Sequence, residues 1–457
     1  MTKEKTMIKD LTNGNVPKQL LTFALPLILS GFLQTAYNMV DMIVVGQYVN
    51  KAGLAAVSIS TDVLHFLTFI AMGFSNAGQV IISQYVGSGQ QDKIKRLIGT
   101  LFTFLLGASL IMTFVCFFLT DSILVWMNTS AESYDYAKDY VIVCILGLFF
   151  IYGYNLVSAI LRGMGDSMRP FMFVGVAAVL NIVLDLLFVA HFHWGTMGAA
   201  LATVIGQALS FLWSLVYLYR RREEFGFDFK LESFGIKMDV FSPLISLGIP
   251  MVLQSAAITL SMLVVNSFIN SYGTVATAVT GVGNKLSTIS NMFAQSMSTA
   301  GSSMIAQNIG AEKYERVTKV IVTSLTMIAC ITAILCAIIY AAPRGVFGIF
   351  SDDVEVLDMA EVYVPIALVM FASCIFRSPF MALISGSGNA KLNLMIALLD
   401  GVICRIGFAM FMGLTLEMGI FGFWYGNAIA GYMPFVVGGI YYLSGKWKTR
   451  KYLLEKQ

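Results

Sequence analysis

Long apolar runs, separated by short polar stretches, fill almost the whole chain. Each run reaches about 20 residues, the length that an α-helix needs to cross the hydrocarbon core of a bilayer. Only helices and closed barrels satisfy their backbone in lipid, and these runs are too long for barrel strands. We therefore predict twelve transmembrane helices. They are placed near residues 18–45, 53–84, 97–119, 137–160, 170–190, 196–219, 241–269, 275–305, 317–341, 359–385, 391–413 and 419–443.

Landmark residues of the first half return in the second half, 223 or 224 positions later. The pairs are Pro26 and Pro250, Gln84 and Gln307, Gly163 and Gly386, and Gly195 and Gly419. A polytopic unit present twice is the usual architecture of a transporter, whose site between the repeats opens to each side in turn. The predicted fold is an all-α membrane protein of two pseudo-symmetric six-helix bundles.

The charges orient these bundles. Of the 29 Lys and Arg residues, 23 lie in the tails and loops of one side, three on the other side and three inside predicted spans. The positive-inside rule makes the rich side cytoplasmic. We predict a multi-pass protein of the cell membrane, with cytoplasmic tails at 1–17 and 444–457. The six-helix lobes would cover 18–219 and 241–443, joined by a cytoplasmic linker at 220–240.

Composition narrows the functional classes. Hydrophobic residues make up 57% of the chain and charged residues 12%, against about 25% charged in soluble proteins. The net charge of +3 reflects topology and does not indicate a nucleic-acid partner. The six cysteines lie inside apolar runs, as small core residues do. No clustered catalytic set stands out, and Gly163-x-Gly165 lacks the Lys of a phosphate-binding loop. We expect no enzyme activity and no cofactor.

Charged residues inside a bilayer are costly, so each one needs a reason. Asp41 ends a polar stripe on the first helix, after Gln34, Tyr37 and Asn38, whose spacing of three and four residues defines one helix face. Asp185 in the fifth helix follows Asn181 by four residues. If the two faces meet, two carboxylates share a dehydrated pocket.

Such a pocket has two functional interpretations. The carboxyl groups of Asp41 and Asp185 can take up and release a proton. Alternatively, their oxygens with Asn181 and a hydroxyl such as Thr203 can hold a sodium ion. A static hydrogen bond to the backbone or to an amide is the plain structural alternative.

Other polar groups are candidates for a central cavity. Asp62 lies toward the outer end of the second span, and Lys285 takes the equivalent place in the second half. These two can form an ion pair or contact substrate, although Asp62 can also reach the interface. Asn291 belongs to a polar stripe on the eighth helix. Asp400, Arg405 and Arg377 predict a charge network inside the second lobe.

Pro26 gives the first helix a bend point, because proline lacks an N–H and crowds the carbonyl four residues earlier. Asp41 lies 15 residues further along, about 22 Å on an ideal helix. We hypothesise that Pro26 connects cation binding to the shape of the cavity. Pro250, which has no equivalent acid, favours the simpler view of a tolerated kink.

The order of these motifs, present twice, resembles the multidrug and toxic compound extrusion (MATE) family of antiporters from about residue 15 to 445. The stretches that carry the resemblance are Phe23-Ala24-Leu25-Pro26, Leu54-Ala55-Ala56-Val57, Arg162-Gly163-Met164-Gly165-Asp166, Asn181-Ile182-Val183-Leu184-Asp185 and Gly195 to Gly198. The resemblance implies two six-helix lobes around a central cavity and export of cationic amphipathic drugs, driven by inward sodium ions or protons.

In related members the acid of the first helix and the Asn/Asp pair of the fifth form the cation site. This implies that Asp41, Asn181 and Asp185 couple transport to a sodium ion or a proton, with Tyr37 and Thr203 as neighbours. Another branch of the family uses acids in helices seven and ten, but 253–259 and 371–377 contain none here. Coupling through the first lobe is therefore favoured.

The partners expected are small-molecule drugs or metabolites and membrane lipids, with the protein acting as a monomer. A flippase for a lipid-linked precursor is the main alternative, although its cavity is usually more cationic. A major-facilitator transporter is less favoured, because its usual Gly-x-x-x-Asp-Arg pattern is absent after the second span, at 87–92.

Overall fold

The computed structural model describes residues 8–449, which are helical apart from short turns and loops. The parts of the predicted tails at 1–7 and 450–457 lie outside the described residues. In the first half the helices are Val16–Tyr48, Lys51–Ser88, Gln91–Trp126, Ala131–Leu146, Leu148–Gly163, Met168–Asp185 with a π-helical continuation at Leu186–His191, Gly195–Arg220 and the short Arg222–Phe225. A 3₁₀ turn follows at Leu231–Ser233.

The second half repeats this series. Its helices are Met238–Asn270, Thr274–Gly310, Tyr314–Ala341, the short Pro343–Gly348, Val354–Gly386, Ala390–Leu398, Cys404–Met410, Ile420–Ala430 and Met433–Leu443. π-helical turns at Leu399–Ile403 and Phe411–Thr415 continue the segments around Cys404–Met410. Each of the twelve predicted spans falls on one helix or on a pair of consecutive helices, and we number the spans accordingly.

Within the described range, nine helices are long and apolar enough to cross a membrane, and the bent pair Ala131–Leu146 and Leu148–Gly163 makes a tenth span. The eighth and twelfth predicted spans do not meet this criterion of length and hydropathy, and each has a physical reason. The eighth span, Thr274–Gly310, carries many Ser, Thr and Asn residues. The twelfth is interrupted between Ala430 and Met433, so neither of its halves is long enough by itself.

The helix breaks follow the internal repeat. The π turn at Leu186–His191 has its equivalent at Phe411–Thr415, about 224 residues later. The π turn at Leu399–Ile403 has no equivalent in the first half, where the matching residues are α-helical. A turn closed by i→i+5 hydrogen bonds holds one residue more than an α-turn. This extra residue accounts for the change of spacing from 223 at Gly386 to 224 at Gly419.

The described chain divides into two compact units. One contains Leu25–Ile245, and the other contains Leu11–Ala24 together with the chain from Ser246 onward. The division therefore falls inside the first helix, next to Pro26. In the second unit, residues 11–19 are held by polar contacts: the Lys313 ammonium donates to Thr12 O at 3.0 Å, and the Arg316 guanidinium donates to Gly14 O at 2.8 Å.

The predicted linker at 220–240 belongs to the first unit, where it packs on the third span. The Phe102 ring stacks on Phe227 and meets Phe234 edge-on. The hydroxyl of Thr100 donates to the carbonyl of Gly235 at 3.2 Å. These apolar and polar contacts give the segment an ordered path over the cytoplasmic end predicted for the third span.

Candidate ion-coupling site

Asp41 is buried in the first unit and is held by side chains of two other spans. The hydroxyl of Thr203, in the sixth span, donates to Asp41 Oδ2 at 3.2 Å. With its amide oriented so that donors meet acceptors, Asn181 of the fifth span donates from Nδ2 to Asp41 Oδ1 at 2.9 Å. The Asn181 oxygen then accepts from the backbone N–H of Thr203 at 3.3 Å. The three predicted residues thus form one hydrogen-bonded group.

Asp185 completes the group from one turn further along the fifth span. Its side chain is fully buried, and its carboxyl group lies within hydrogen-bonding reach of the carboxyl of Asp41. Among the described residues, neither Asp185 oxygen meets a hydrogen-bond donor. Two ionised carboxylates are both acceptors, so they cannot hydrogen-bond to each other directly. A proton on one of them, or a cation between them, satisfies both.

The local backbone places these groups. The fifth span changes from α-helix to π-helix immediately after Asp185, and such turns are frequent at functional sites. Gly206 on the sixth span allows that helix to lie close to the fifth, since a Cβ there would lie 3.2 Å from the carbonyl oxygen of Ala177. A larger side chain would push Thr203 away from Asn181.

A buried apolar cluster, here called the apolar wall, reaches the carboxyl groups through Tyr140 and Cys144, which lie near Asp41. Its buried residues come from the first, second, fourth and sixth spans and from the π turn, and they are Val44, Val45, Val57, Tyr140, Cys144, Val189, Ala199 and Ala200. Within the described range no Lys, Arg or His pairs with Asp41 or Asp185. The site therefore concentrates negative charge without a fixed counter-ion.

Tyr140 is a neighbour that sequence reasoning missed. It lies on the fourth span, is buried, and its hydroxyl lies close to the Thr203 side chain. Tyr140 stands in a helix with no polar stripe of its own, so periodicity gave no signal for it. A lone hydroxyl in an apolar run, at the same depth as a buried acid, was the only available signal.

The other residues of the first-helix stripe occupy different environments. Tyr37 is half-buried and lies beside Gln207 and near Asp41. Asn38 is half-buried, and Gln34 is exposed. Asp62, on the second span, is also exposed, and its nearest charged neighbour is His65. The structure therefore brings Tyr37 to the carboxyl pair, whereas Gln34 and Asp62 remain candidates for contact with substrate.

The remaining candidates belong to the second unit. Lys285 is exposed, and its ammonium lies 5.3 Å from the centre of the Phe350 ring. Asn291 lines a cavity of about 110 Å³ within that unit. The described chain contains no cluster of three or more His, Cys, Asp or Glu side chains with metal-binding geometry. His191 is the last residue of the π turn, and His193 lies in the short loop that follows it.

The predicted charge network of the second lobe is present in part. Arg405 donates to Asp400 Oδ1 at 2.7 Å and to Asn427 Oδ1 at 2.6 Å, and both charged side chains are buried. This confirms the pairing of Asp400 with Arg405. Arg377 lies outside that pair, although it lines the same cavity as Arg405.

Two six-span repeats, with a buried acidic group inside the first, define a polytopic membrane transporter. Similarity to known proteins identifies the family to which this transporter belongs. The MatE family matches residues 26–187 and again 250–411, so the chain belongs to that family of transporters, which are not enzymes. The two matches stand 224 residues apart, as the landmark residues do.

Relatives cover nearly the whole chain. YpnP of Bacillus subtilis (strain 168), described as a "Probable multidrug resistance protein", is 29% identical over 98% of this chain and 99% of its own length. YoeA of the same organism, with the same description, is 30% identical over 79% of each chain. An outward-facing multidrug resistance MATE family transporter has the same twelve-helix, two-lobe fold. It has a TM-score of 0.90 and 21% identity, and covers 99% of this chain and 100% of that one.

Proposed function

We propose that this protein is a secondary active multidrug efflux transporter that exports cationic or amphipathic small molecules in exchange for an inward-moving proton or sodium ion. The observation that carries the proposal is the buried carboxyl pair of Asp41 and Asp185, held by Asn181 and Thr203. The relatives described as multidrug resistance proteins support the class of cargo.

The Asp41–Asp185 pair suits a role in ion coupling because its charge and its hydrogen-bonding groups are unsatisfied when no ion is bound. Two buried carboxyls with no cationic partner repel each other and lack donors for Asp185. Binding one positive charge removes both problems at once. Releasing that charge on the other side of the membrane restores the repulsion, so the packing of the first, fifth and sixth spans depends on occupancy.

A proton is the coupling ion that the contacts favour. The Asp41 and Asp185 carboxyls lie at hydrogen-bonding range, and one shared proton would give one Asp185 oxygen a partner and remove the repulsion between the two acids. A sodium ion remains the second candidate, because the same site offers two carboxylates, the Asn181 oxygen and the Thr203 hydroxyl. Sodium would separate the carboxyl groups, since each oxygen would turn toward the ion.

Transport then requires alternating access between lobes at 18–219 and 241–443, with the segment at 220–240 connecting them. The substrate would enter a cavity that offers polar groups such as Gln34 and Asn38. We place both termini in the cytoplasm of a cell whose plasma membrane holds the protein as a monomer. The asymmetry of Lys and Arg in the loops supports this orientation.

Proteoliposomes that contain the purified chain test the proposal. A fluorescent cationic dye is loaded, and efflux is followed under a proton gradient alone, a sodium gradient alone, and neither. Efflux driven by one gradient supports antiport and identifies the ion. Absence of gradient-driven efflux for dyes of several sizes, together with translocation of a labelled lipid-linked oligosaccharide, would instead favour the flippase alternative.

A further inference from the structure

The second lobe contains a small cavity that the efflux proposal leaves without a role. The cavity is about 110 Å³ and lies between the seventh, eighth, tenth, eleventh and twelfth spans. Its polar and charged lining side chains are Asn284, Ser287, Ser290, Asn291, Ser373, Arg377, Arg405 and Asn427. No acidic side chain lines it. In charge, this lining is the reverse of the acidic group in the first lobe.

The repeat relates the two places directly. At the spacing of 224, Arg405 is the equivalent of Asn181, and Asn427 is the equivalent of Thr203. The contact between them is kept, since Arg405 Nη1 donates to Asn427 Oδ1 at 2.6 Å. The acids are not kept, because Val265 and Ala409 stand where Asp41 and Asp185 stand in the first half. The duplicated site has therefore exchanged its carboxylates for a guanidinium.

The inserted π turn supplies an acid that neutralises part of this positive charge. Asp400 lies in the extra turn Leu399–Ile403 and pairs with Arg405 at 2.7 Å. The charge of Arg405 is thus neutralised by Asp400, which does not line the cavity. Arg377, half-buried on the tenth span, has no hydrogen bond or ion pair among residues 8–449. One uncompensated positive charge therefore faces the cavity at bilayer depth, where unpaired charges are functional by default.

The backbone around the cavity is also interrupted. Gly431 lines the space and lies in the break between Ile420–Ala430 and Met433–Leu443. Transporters commonly form their binding sites where a span is discontinuous, because backbone groups freed there can bind the ligand. The volume of about 110 Å³ exceeds the space that a single water needs. That is room for one small polar group and too little for a drug-sized molecule, whose pockets span about 300–1,000 Å³.

We infer that this cavity is a binding site for a small anionic group, a carboxylate or a phosphate, held by Arg377 and by the amide donors of Asn291 and Asn427. Carboxylates and phosphates match a guanidinium with two parallel hydrogen bonds. The anionic group can be the acidic end of a zwitterionic cargo or the phosphate of a lipid headgroup. The first source rests on the proposed function and would extend its cargo from cations to zwitterions.

The test measures binding without any ion gradient. The full chain is placed in nanodiscs of phosphatidylcholine, and sodium benzoate, inorganic phosphate and neutral benzamide are titrated by calorimetry. We expect benzoate to bind at least about tenfold more tightly than benzamide, which has nearly the same shape without the charge. Arg377→Gln should weaken benzoate at least about tenfold, and Arg377→Lys, which keeps the charge but not the two parallel hydrogen bonds, should weaken it less. Arg344→Gln, a charge removed outside the cavity, should leave it unchanged.

Equal affinity for benzoate and benzamide, or unchanged benzoate binding in Arg377→Gln, would overturn the inference. Thermal unfolding of each variant shows whether the protein is folded. Nanodiscs that contain phosphatidylglycerol distinguish the sources. At high salt, where the charge of the bilayer surface is screened, weaker benzoate binding in phosphatidylglycerol than in phosphatidylcholine identifies a lipid phosphate, and equal benzoate affinity in the two lipids leaves the cargo as the source. The binding titration uses no ion gradient, so its outcome does not depend on whether the protein couples efflux to an ion. In the same way, a failure to bind benzoate would leave the ion-coupling proposal standing.

Discussion

The hydroxyl of Thr203 donates to the carboxylate of Asp41 at 3.2 Å across 162 positions of the chain. This contact joins the first span to the sixth. The Asn181 amide and the buried Asp185 carboxyl lie beside it, from the span that precedes the sixth. A change in the charge of Asp41 therefore directly alters its contacts with the fifth and sixth spans.

Asp41→Asn should abolish gradient-driven efflux while leaving expression and folding intact. An amide has nearly the shape of the acid but cannot take up a proton or balance a cation. Dye efflux from proteoliposomes measures the effect, and Asp139→Asn, an exposed acid on the fourth span, is the matched control. Retention of most transport in Asp41→Asn would rule out the coupling role.

Asp185→Asn should reduce efflux to a similar degree, and Asp41→Asn/Asp185→Asn should be little worse than either single change. Residues that bind one ion act as a unit, so their effects are not additive. A double-mutant cycle on initial efflux rates gives the measurement. Strictly additive losses would show that the two acids act in separate steps.

Tyr140→Phe should weaken coupling without destroying it. The buried hydroxyl of Tyr140 lies close to Thr203, whose own hydroxyl donates to Asp41. Removal of one polar partner of this kind costs about 0.5–1.5 kcal/mol, so the apparent affinity for the coupling ion should fall roughly two- to tenfold. Efflux rates against ion concentration report this change, and Tyr136→Phe, near the outer end of the same span, serves as the control. An unchanged ion dependence would place Tyr140 in the apolar wall alone.

Arg405→Gln should destabilise the protein by about 3–5 kcal/mol, because it leaves the buried Asp400 carboxylate without its partner. Asp400→Asn/Arg405→Gln should regain much of that loss, since no isolated charge remains. Thermal unfolding in a fixed detergent compares the two variants. A double variant as unstable as Arg405→Gln would mean that the guanidinium matters for packing and not for charge balance.

Pro26→Ala should keep substrate binding but slow or uncouple efflux, if the bend point connects the ion site to the cavity. The helix runs through Pro26, the Ser30 hydroxyl donates to its carbonyl at 2.8 Å, and the boundary of the compact units falls beside it. Pro250→Ala is the matched control, since its helix carries Val265 in place of the acid. Equal turnover and ion dependence in the wild type and in both variants would leave Pro26 with a structural part only.

Much of the fold follows from the sequence because the bilayer fixes the length and polarity of each span. The twelve predicted segments fall on the helices of the structure, including the eighth, whose polar stripe lowers its hydropathy. The duplication was visible because glycine and proline landmarks recur at one spacing. Asp41, Asn181 and Asp185 stood out for a related reason, since polar groups are rare in lipid-facing helices and periodicity assigns each one to a face.

The sequence by itself determined which face of each helix is polar, and the tertiary structure decided which faces meet. Helical periodicity fixes directions within one span and carries no information about the neighbouring span. Packing alone therefore brought Tyr140 to Thr203, joined Arg405 to Asp400 and left Arg377 without a polar partner among residues 8–449. The extra π turn at Leu399–Ile403 was equally hidden, because one inserted residue in an apolar run changes the direction of the following side chains without changing the composition.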